Sequence, residues 1–308
     1  MSQGDDTGDG PVLVAGHESA GGTELAGLAA ALPGASLTVA GRPLHDVVQA
    51  RLAAGADVVT VLPMTWGRDP VLVADSARTL SWLRAGAGAG RVALAEPFGA
   101  VDHLTSLLRL AVTRATARHP GATVLIAGRR ADPFDDAELH RVAHLVRTHG
   151  PGTAVEVACV AGPEDLARAV DRARLLGAEQ VVVVPAGFGT TVPGATDRQD
   201  VHLGGPLLPV AVMAQVAGRR VADARHALQH GDDGIDAGLL ADHDHGYAHS
   251  HAVEGDEHGH AHPHGHAHGH GHGHPHTHAP PGEAARGLPD EPVHRHAQDP
   301  ATTGAAPA

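Results

Sequence analysis

One pattern occurs twice in this chain, and the repetition limits its folding more than any other feature. The stretch AGRPLHDVVQARLAAGADVVTVLPMTWG at 40–67 is matched at 161–189 by AGPEDLARAVDRARLLGAEQVVVVPAGFG. Ala-Gly, a helix-like run, a Gly-Ala turn, a Val-rich strand, Pro and a final Gly fall in register. Upstream, VLVAGHES at 12–19 is echoed by VLIAGRRA at 124–131. Agreement of this kind reads as gene duplication. Each copy, at roughly 110–120 residues, is of single-domain size.

Within each copy, short β-branched runs alternate with longer helix-like stretches. Strands are expected at Val12–Ala15, Ser36–Ala40, Val58–Leu62, Val92–Ala95, Val124–Ala127, Ala154–Val160 and Val181–Pro185. Helices are expected at Thr23–Leu32, Leu44–Ala54, Pro70–Leu83, Val101–Arg118, Asp135–Thr148, Pro163–Leu176 and Leu207–Leu228. Apolar runs of this length separated by helices specify βαβ units and a parallel sheet buried on both faces. The expected architecture is α/β: a flexible arm at 1–10, one lobe at 11–120, a second at 121–230, and a cleft between the lobes. A tail at 231–308 made of Gly, Asp, His, Pro and Ala has too little apolar content to offset ordering entropy. It is expected to be disordered without metal.

Composition removes several chemistries. The chain has no lysine, so it has neither a P-loop lysine for nucleotide phosphates nor a Schiff-base lysine for pyridoxal phosphate. Neither cofactor is expected. The single Cys159 excludes an internal disulfide and a cysteine-cluster metal site, and it reads as a small hydrophobe in a Val/Ala strand. With two Trp, three Phe and one Tyr in 308 residues, the core must pack on aliphatic side chains. The net charge of −13 argues against nucleic acid as a partner. No signal peptide and no 18-residue apolar run is visible, so a cytoplasmic protein without a membrane span is expected.

The tail carries its own chemistry. Every even-numbered position from 258 to 278 is histidine: His258, His260, His262, His264, His266, His268, His270, His272, His274, His276 and His278. Neutral imidazole suits Co²⁺, Ni²⁺, Cu²⁺ and Zn²⁺. Alternation in an extended chain lets neighbouring rings close on one ion, so the tail is expected to bind divalent transition metal. The alternative is a low-complexity segment without a role.

In the body, His17 ends the first strand in Gly16-His17-Glu18-Ser19, where ligands of open α/β sheets bind. A histidine there can hold a metal ion or take a proton near neutral pH; it can equally be a polar loop residue at a helix start. The second copy has Arg129 at that place, suited to a carboxylate ligand or to an ion pair with Asp132 or Asp135. Trp66 and Phe188, in equivalent loops, can face a flat macrocycle or seal the lobe interface. His103 and His202 lie near later strand ends as candidate second ligands or as solvated residues.

Taken together, the opening LVAGHES, the duplication, the V-V-x-V-x-P strand end, the Glu-Pro-x-Gly turn and the histidine-rich segment resemble the CbiX family of sirohydrochlorin cobaltochelatases. The resemblance spans residues 11–228. It implies two flavodoxin-like lobes, insertion of Co²⁺ into sirohydrochlorin for cobalamin synthesis, and a functional histidine that His17 matches. Ni²⁺, Fe²⁺ and Zn²⁺ are the other candidate ions. Two departures stand out: Glu18 replaces the glycine of the G-H-G-S start, and the family's second histidine is missing from both Gly67-Arg68-Asp69-Pro70 and Gly189-Thr190-Thr191. On this reading His17 and Glu18 handle metal and pyrrole protons. Trp66 and Phe188 face the tetrapyrrole, and Arg68, Arg129 or Arg130 meets its carboxylates. A metal-delivery partner is compatible with such a role. The rival reading is a metal-storage protein or metallochaperone whose chelatase-like body has lost catalysis.

Overall fold

The computed structural model describes residues 10–196 and 199–242. Its strands form two separate four-stranded parallel sheets. The first contains β1 (Val12–Ala15), β2 (Ser36–Val39), β3 (Val59–Met64) and β4 (Val92–Leu94), in the order β2-β1-β3-β4. The second contains β5 (Thr123–Arg129), β6 (Val155–Val160), β7 (Val181–Pro185) and β8 (Val201–Leu203), in the order β6-β5-β7-β8. The same strand order in both sheets is what the sequence duplication requires.

The period-2 alternation of each strand feeds separate cores. Leu13 and Ala15 of β1 and Leu62 and Met64 of β3 face inward, into one core shared with Val124, Ile126, Val182 and Val184 of the second sheet. Val12, Val14, Val59 and Val61 face outward under α2 (Arg42–Ala53) and α3 (Pro70–Arg84). Leu125, Ala127, Val181 and Val183 do the same under α6 (Pro163–Leu175).

The expected lobe boundary at 120 divides the strands but not the packing. The helix that ends the first copy, α4 (Val101–Arg118), lies against β5, β7 and α5 (Pro133–Thr148) of the second sheet. The helix that ends the second copy, α7 (Val210–Gln229), lies against β3, β4 and α1 (Ala26–Ala31) of the first. Each copy thus completes the other's inner face, so neither buries its core alone.

Two expectations are corrected. The helix placed at Thr23–Leu32 is shorter, because His17–Leu25 winds as 3-10 turns broken at Ser19–Gly22, where Ala20, Gly21 and Gly22 take positive φ. The ordered body also does not stop at 230. Leu94 N–H donates to Asp233 O at 2.8 Å, Arg84 pairs with Asp233, and α8 (Ile235–Leu239) buries Ile235 completely in the outer core of the first sheet. Buried Ile235, the Leu94–Asp233 backbone bond and the pairs of Arg84 with Asp233 and Asp236 together tie this segment down. Among the described residues no helix is long and apolar enough to cross a membrane.

Candidate functional site

The carboxyl end of β1 delivers His17 into a nest of carboxylates. Its Nδ1 lies 3.1 Å from Asp69 Oδ2 and 3.6 Å from Asp135 Oδ2, and its backbone N–H donates to the same Asp69 oxygen at 3.3 Å. Asp69 serves two elements at once. Its Oδ1 accepts from Leu72 N at 3.0 Å, capping α3 just before Pro70, while Oδ2 holds His17. Gly16 makes this approach feasible, since a Cβ there would stand 2.1 Å from Asp69 Oδ2. Asp135 comes from the first turn of α5, so the second copy contributes to the site of the first.

Burial by itself would lower the pKa of His17. The hydrogen bond and charge of Asp69, together with the charge of Glu18, outweigh burial, and the pKa ends above the usual imidazole value. For Asp69, burial pushes upward, but its bonds to His17 and Leu72 prevail and its pKa is lowered. With Nδ1–H held by a carboxylate, the neutral ring carries its lone pair on Nε2. That atom is buried and has no partner among the described residues. A carboxylate on one ring nitrogen and a free lone pair on the other is the arrangement of a proton acceptor or metal-ligating histidine.

Glu18 has a different task. It is 1% exposed and its Oε2 accepts from Trp66 N at 2.7 Å and from Thr65 Oγ1. Burial raises its pKa against the opposing charge of Arg68 and these hydrogen bonds. Thr65 Oγ1 in turn accepts from Gly67 N and Asp69 N, so Glu18 and Thr65 together tie the β3–α3 loop to the end of β1. Glu18 therefore organises, through Oε2, the loop that carries Asp69, while its Oε1 is buried without a partner among the described residues.

Three of the expected substrate contacts are buried. Arg68 is 1% exposed and spends its guanidinium on Asp135 O, at 3.2 Å from Nη2. It supplies a buried positive charge between the two lobes, and its Nη1 has no partner among the described residues. Trp66 and Phe188 stack on each other at 5.2 Å, with Phe98 edge-on to both, and all three are buried. They seal the lobe interface, the other of the two roles open to them. Arg129 and Arg130 stay partly exposed, but each has an acid: Arg129 reaches Glu24 across the lobes at 3.0 Å, and Arg130 reaches Asp165 at 3.1 Å.

Nor do the other candidates gather round His17. His103 Nδ1 accepts from Ala100 N at 3.1 Å and closes the start of α4. His202 stacks on His119 with ring centroids 4.0 Å apart. Cys159 is half-buried and its thiol is pushed up to about 11 by burial, so it is not a thiolate at neutral pH. Among the described residues no three His, Cys, Asp or Glu side chains are arranged to hold a metal ion. The tail histidines from His258 to His278, and positions 1–9 of the arm, lie outside the described residues.

Sequence reasoning missed Asp69, Asp135 and Thr65. The Asp-Pro pairs at 69–70 and 132–133 signal helix starts and could have identified Asp69 as a cap beside His17. Nothing local marks Asp135, which reaches the site across the lobe interface.

No protein-family model matches the chain, and no curated protein does. Solved structures do. The sirohydrochlorin chelatase SirB from Bacillus subtilis subspecies spizizenii, in complex with cobalt, is 16% identical with a TM-score of 0.44, covering 72% of this chain and 96% of its own. SirB from Bacillus subtilis with Fe³⁺ is 14% identical with a TM-score of 0.44 over the same shares. A multi-domain Deinococcus radiodurans protein with structural similarity to chelatases is 20% identical with a TM-score of 0.41, covering 71% of this chain and 59% of that one. With identities this low, no site residue is carried over from them.

Proposed function

We propose that this chain is a metal chelatase that inserts a divalent transition metal into a tetrapyrrole, with Co²⁺ into sirohydrochlorin as the leading pair. Ni²⁺, Fe²⁺ and Zn²⁺ remain alternative substrates, because imidazole ligands do not separate them. The observation that carries the reading is His17: Nδ1 fixed by Asp69, Nε2 buried and unpartnered. The histidines of the tail collect the ion. Nε2 of His17 receives a pyrrole N–H proton as the ion enters the macrocycle, and the adjacent carboxylates stabilise the resulting imidazolium. The charge of the incoming ion lowers the pyrrole N–H pKa, so a histidine is a sufficient base. Asp69 and Asp135 orient the ring, and Glu18 holds the loop that presents Asp69.

A second reading has its own support. The loop Gly67-Arg68-Asp69-Pro70 carries no second histidine, and the buried cation of Arg68 disfavours a divalent ion close to His17. On that reading the chain stores or delivers metal through its tail and the body no longer catalyses. Mixing the purified protein with sirohydrochlorin and Co²⁺ while following the absorption spectrum separates the two. Accelerated appearance of the metallated macrocycle supports the chelatase. Metal uptake by the protein with no acceleration supports storage or delivery.

A further inference from the structure

A cavity of about 570 Å³ lies between α4 and α7, and His17 is not among the residues that line it. Leu107 of α4 and Leu208, Val212 and Val216 around the start of α7 line its walls, and Trp66 and Phe98 close its floor. One end is cationic. Arg219 is exposed and has no carboxylate partner among the described residues, whereas its neighbour Arg220 is paired with Glu96. His103 stands at the same cavity, and because its Nδ1 accepts from Ala100 N, the neutral ring carries its proton on Nε2 as a donor. The first turn of α4, a helix of 18 residues, borders the space at His103, and its positive dipole end favours an anion there. Asp223, one turn beyond Arg219, is the cavity's opposing charge.

We propose that this cavity binds a compact amphipathic carboxylate, its apolar body between α4 and α7 and its carboxylate on Arg219 with His103. The volume falls in the range of sites for drug-sized ligands, which are mostly apolar with a few placed polar groups. An apolar space that is built by the exchanged helices of two lobes, and that ends on an arginine with no carboxylate partner among the described residues, matches that description. The inference is independent of what His17 does with metal.

The chain's two tryptophans make the test direct. Trp82 is 82% exposed on α3, so Trp82→Phe leaves Trp66, at the cavity floor, as sole reporter. Full-length Trp82→Phe protein titrated with 1-pyrenebutyrate should show saturable quenching of Trp66 emission by energy transfer to pyrene. The neutral 1-pyrenebutanol should bind about tenfold more weakly, as should the acid to an Arg219→Gln background, the scale of one charge-assisted hydrogen bond. Leu107→Trp in the Trp66→Phe, Trp82→Phe background should fill the cavity and abolish the pyrene binding that this background itself retains, read by pyrene anisotropy, with a melting temperature no lower than that of the background. Equal affinities for acid and alcohol, or no effect of Arg219→Gln, would overturn the carboxylate assignment. Undiminished binding to the Leu107→Trp protein would overturn the location.

Discussion

The ends of β1 and β5 hold the same place in the two sheets with opposite electrostatics. In the first, Gly16-His17-Glu18 gathers acids: Asp69 from its own sheet, Asp135 from the other, and the buried Glu18 behind. In the second, Gly128-Arg129-Arg130 presents two arginines, each already matched by a carboxylate. The duplicated frame supplies a strand end, a glycine and a helix start in both places. At the first of these strand ends Nε2 of His17 and Oε1 of Glu18 are buried without a partner among the described residues; at the second no side-chain atom of Arg129 or Arg130 is. A functional site here is a local departure from an otherwise symmetric scaffold, and its cost appears as buried charge.

That cost predicts the largest difference between the copies. Arg68→Gln removes the one cation buried beside Glu18 and should destabilise the protein by about 3–5 kcal/mol, the usual penalty for breaking a buried charge arrangement. Arg129→Gln, at a partly exposed pair, should cost under about 1 kcal/mol. Urea denaturation measures both, and equal costs would dissolve the contrast.

A second asymmetry lies at the sheet edges. Residues 232–239 cover the β4 edge of the first sheet. Truncation after residue 242 should therefore leave the thermal transition in place and remove most bound metal. Truncation after 230 should cost about 2–3 kcal/mol through loss of buried Ile235 alone. A truncation at 242 that unfolds the body would contradict this.

The third difference is pH-dependent. The folded pKa of His17 is raised, so its contribution to stability is complete below the ordinary imidazole value of about 6.5 and fades as pH rises through the raised value. The pKa of Asp69 is lowered, so its contribution holds above about pH 4 and is lost as pH falls through the lowered value. Asp69→Asn, which keeps the α3 cap oxygen, should cost about 1.5 kcal/mol between those limits and less on either side. It should also move the His17 titration, followed by NMR, toward lower pH. An unmoved titration would mean that Asp69 does not govern the ring.

Much of this was legible beforehand, for identifiable reasons. Val12–Ala15 and Val181–Pro185 stand where their continuous apolar runs put them, because strands buried on both faces leave that trace. β8 was not expected, since three residues including His202 carry no periodic signal. The exchange of α4 and α7 leaves no mark either: an amphipathic helix shows that it covers a sheet, not which of two similar sheets. The same holds for the site. His17 was visible because a strand end is a local feature. Asp135, and the burial of Glu18, Arg68, Trp66 and Phe188, depend on two lobes meeting, and no spacing along the chain encodes that.

The smallest structural perturbation carries the most direct test. His17→Ala removes a side chain that faces carboxylates at the lobe junction. Metal insertion into sirohydrochlorin by the purified variant, followed spectroscopically beside wild type and Arg129→Ala, compares the two strand ends in one assay. The account expects His17→Ala to lower the rate by about 10²-fold or more, the scale of a positioned proton acceptor, and Arg129→Ala to leave the rate at saturating substrate within a few-fold of wild type. Unchanged turnover in His17→Ala would contradict it.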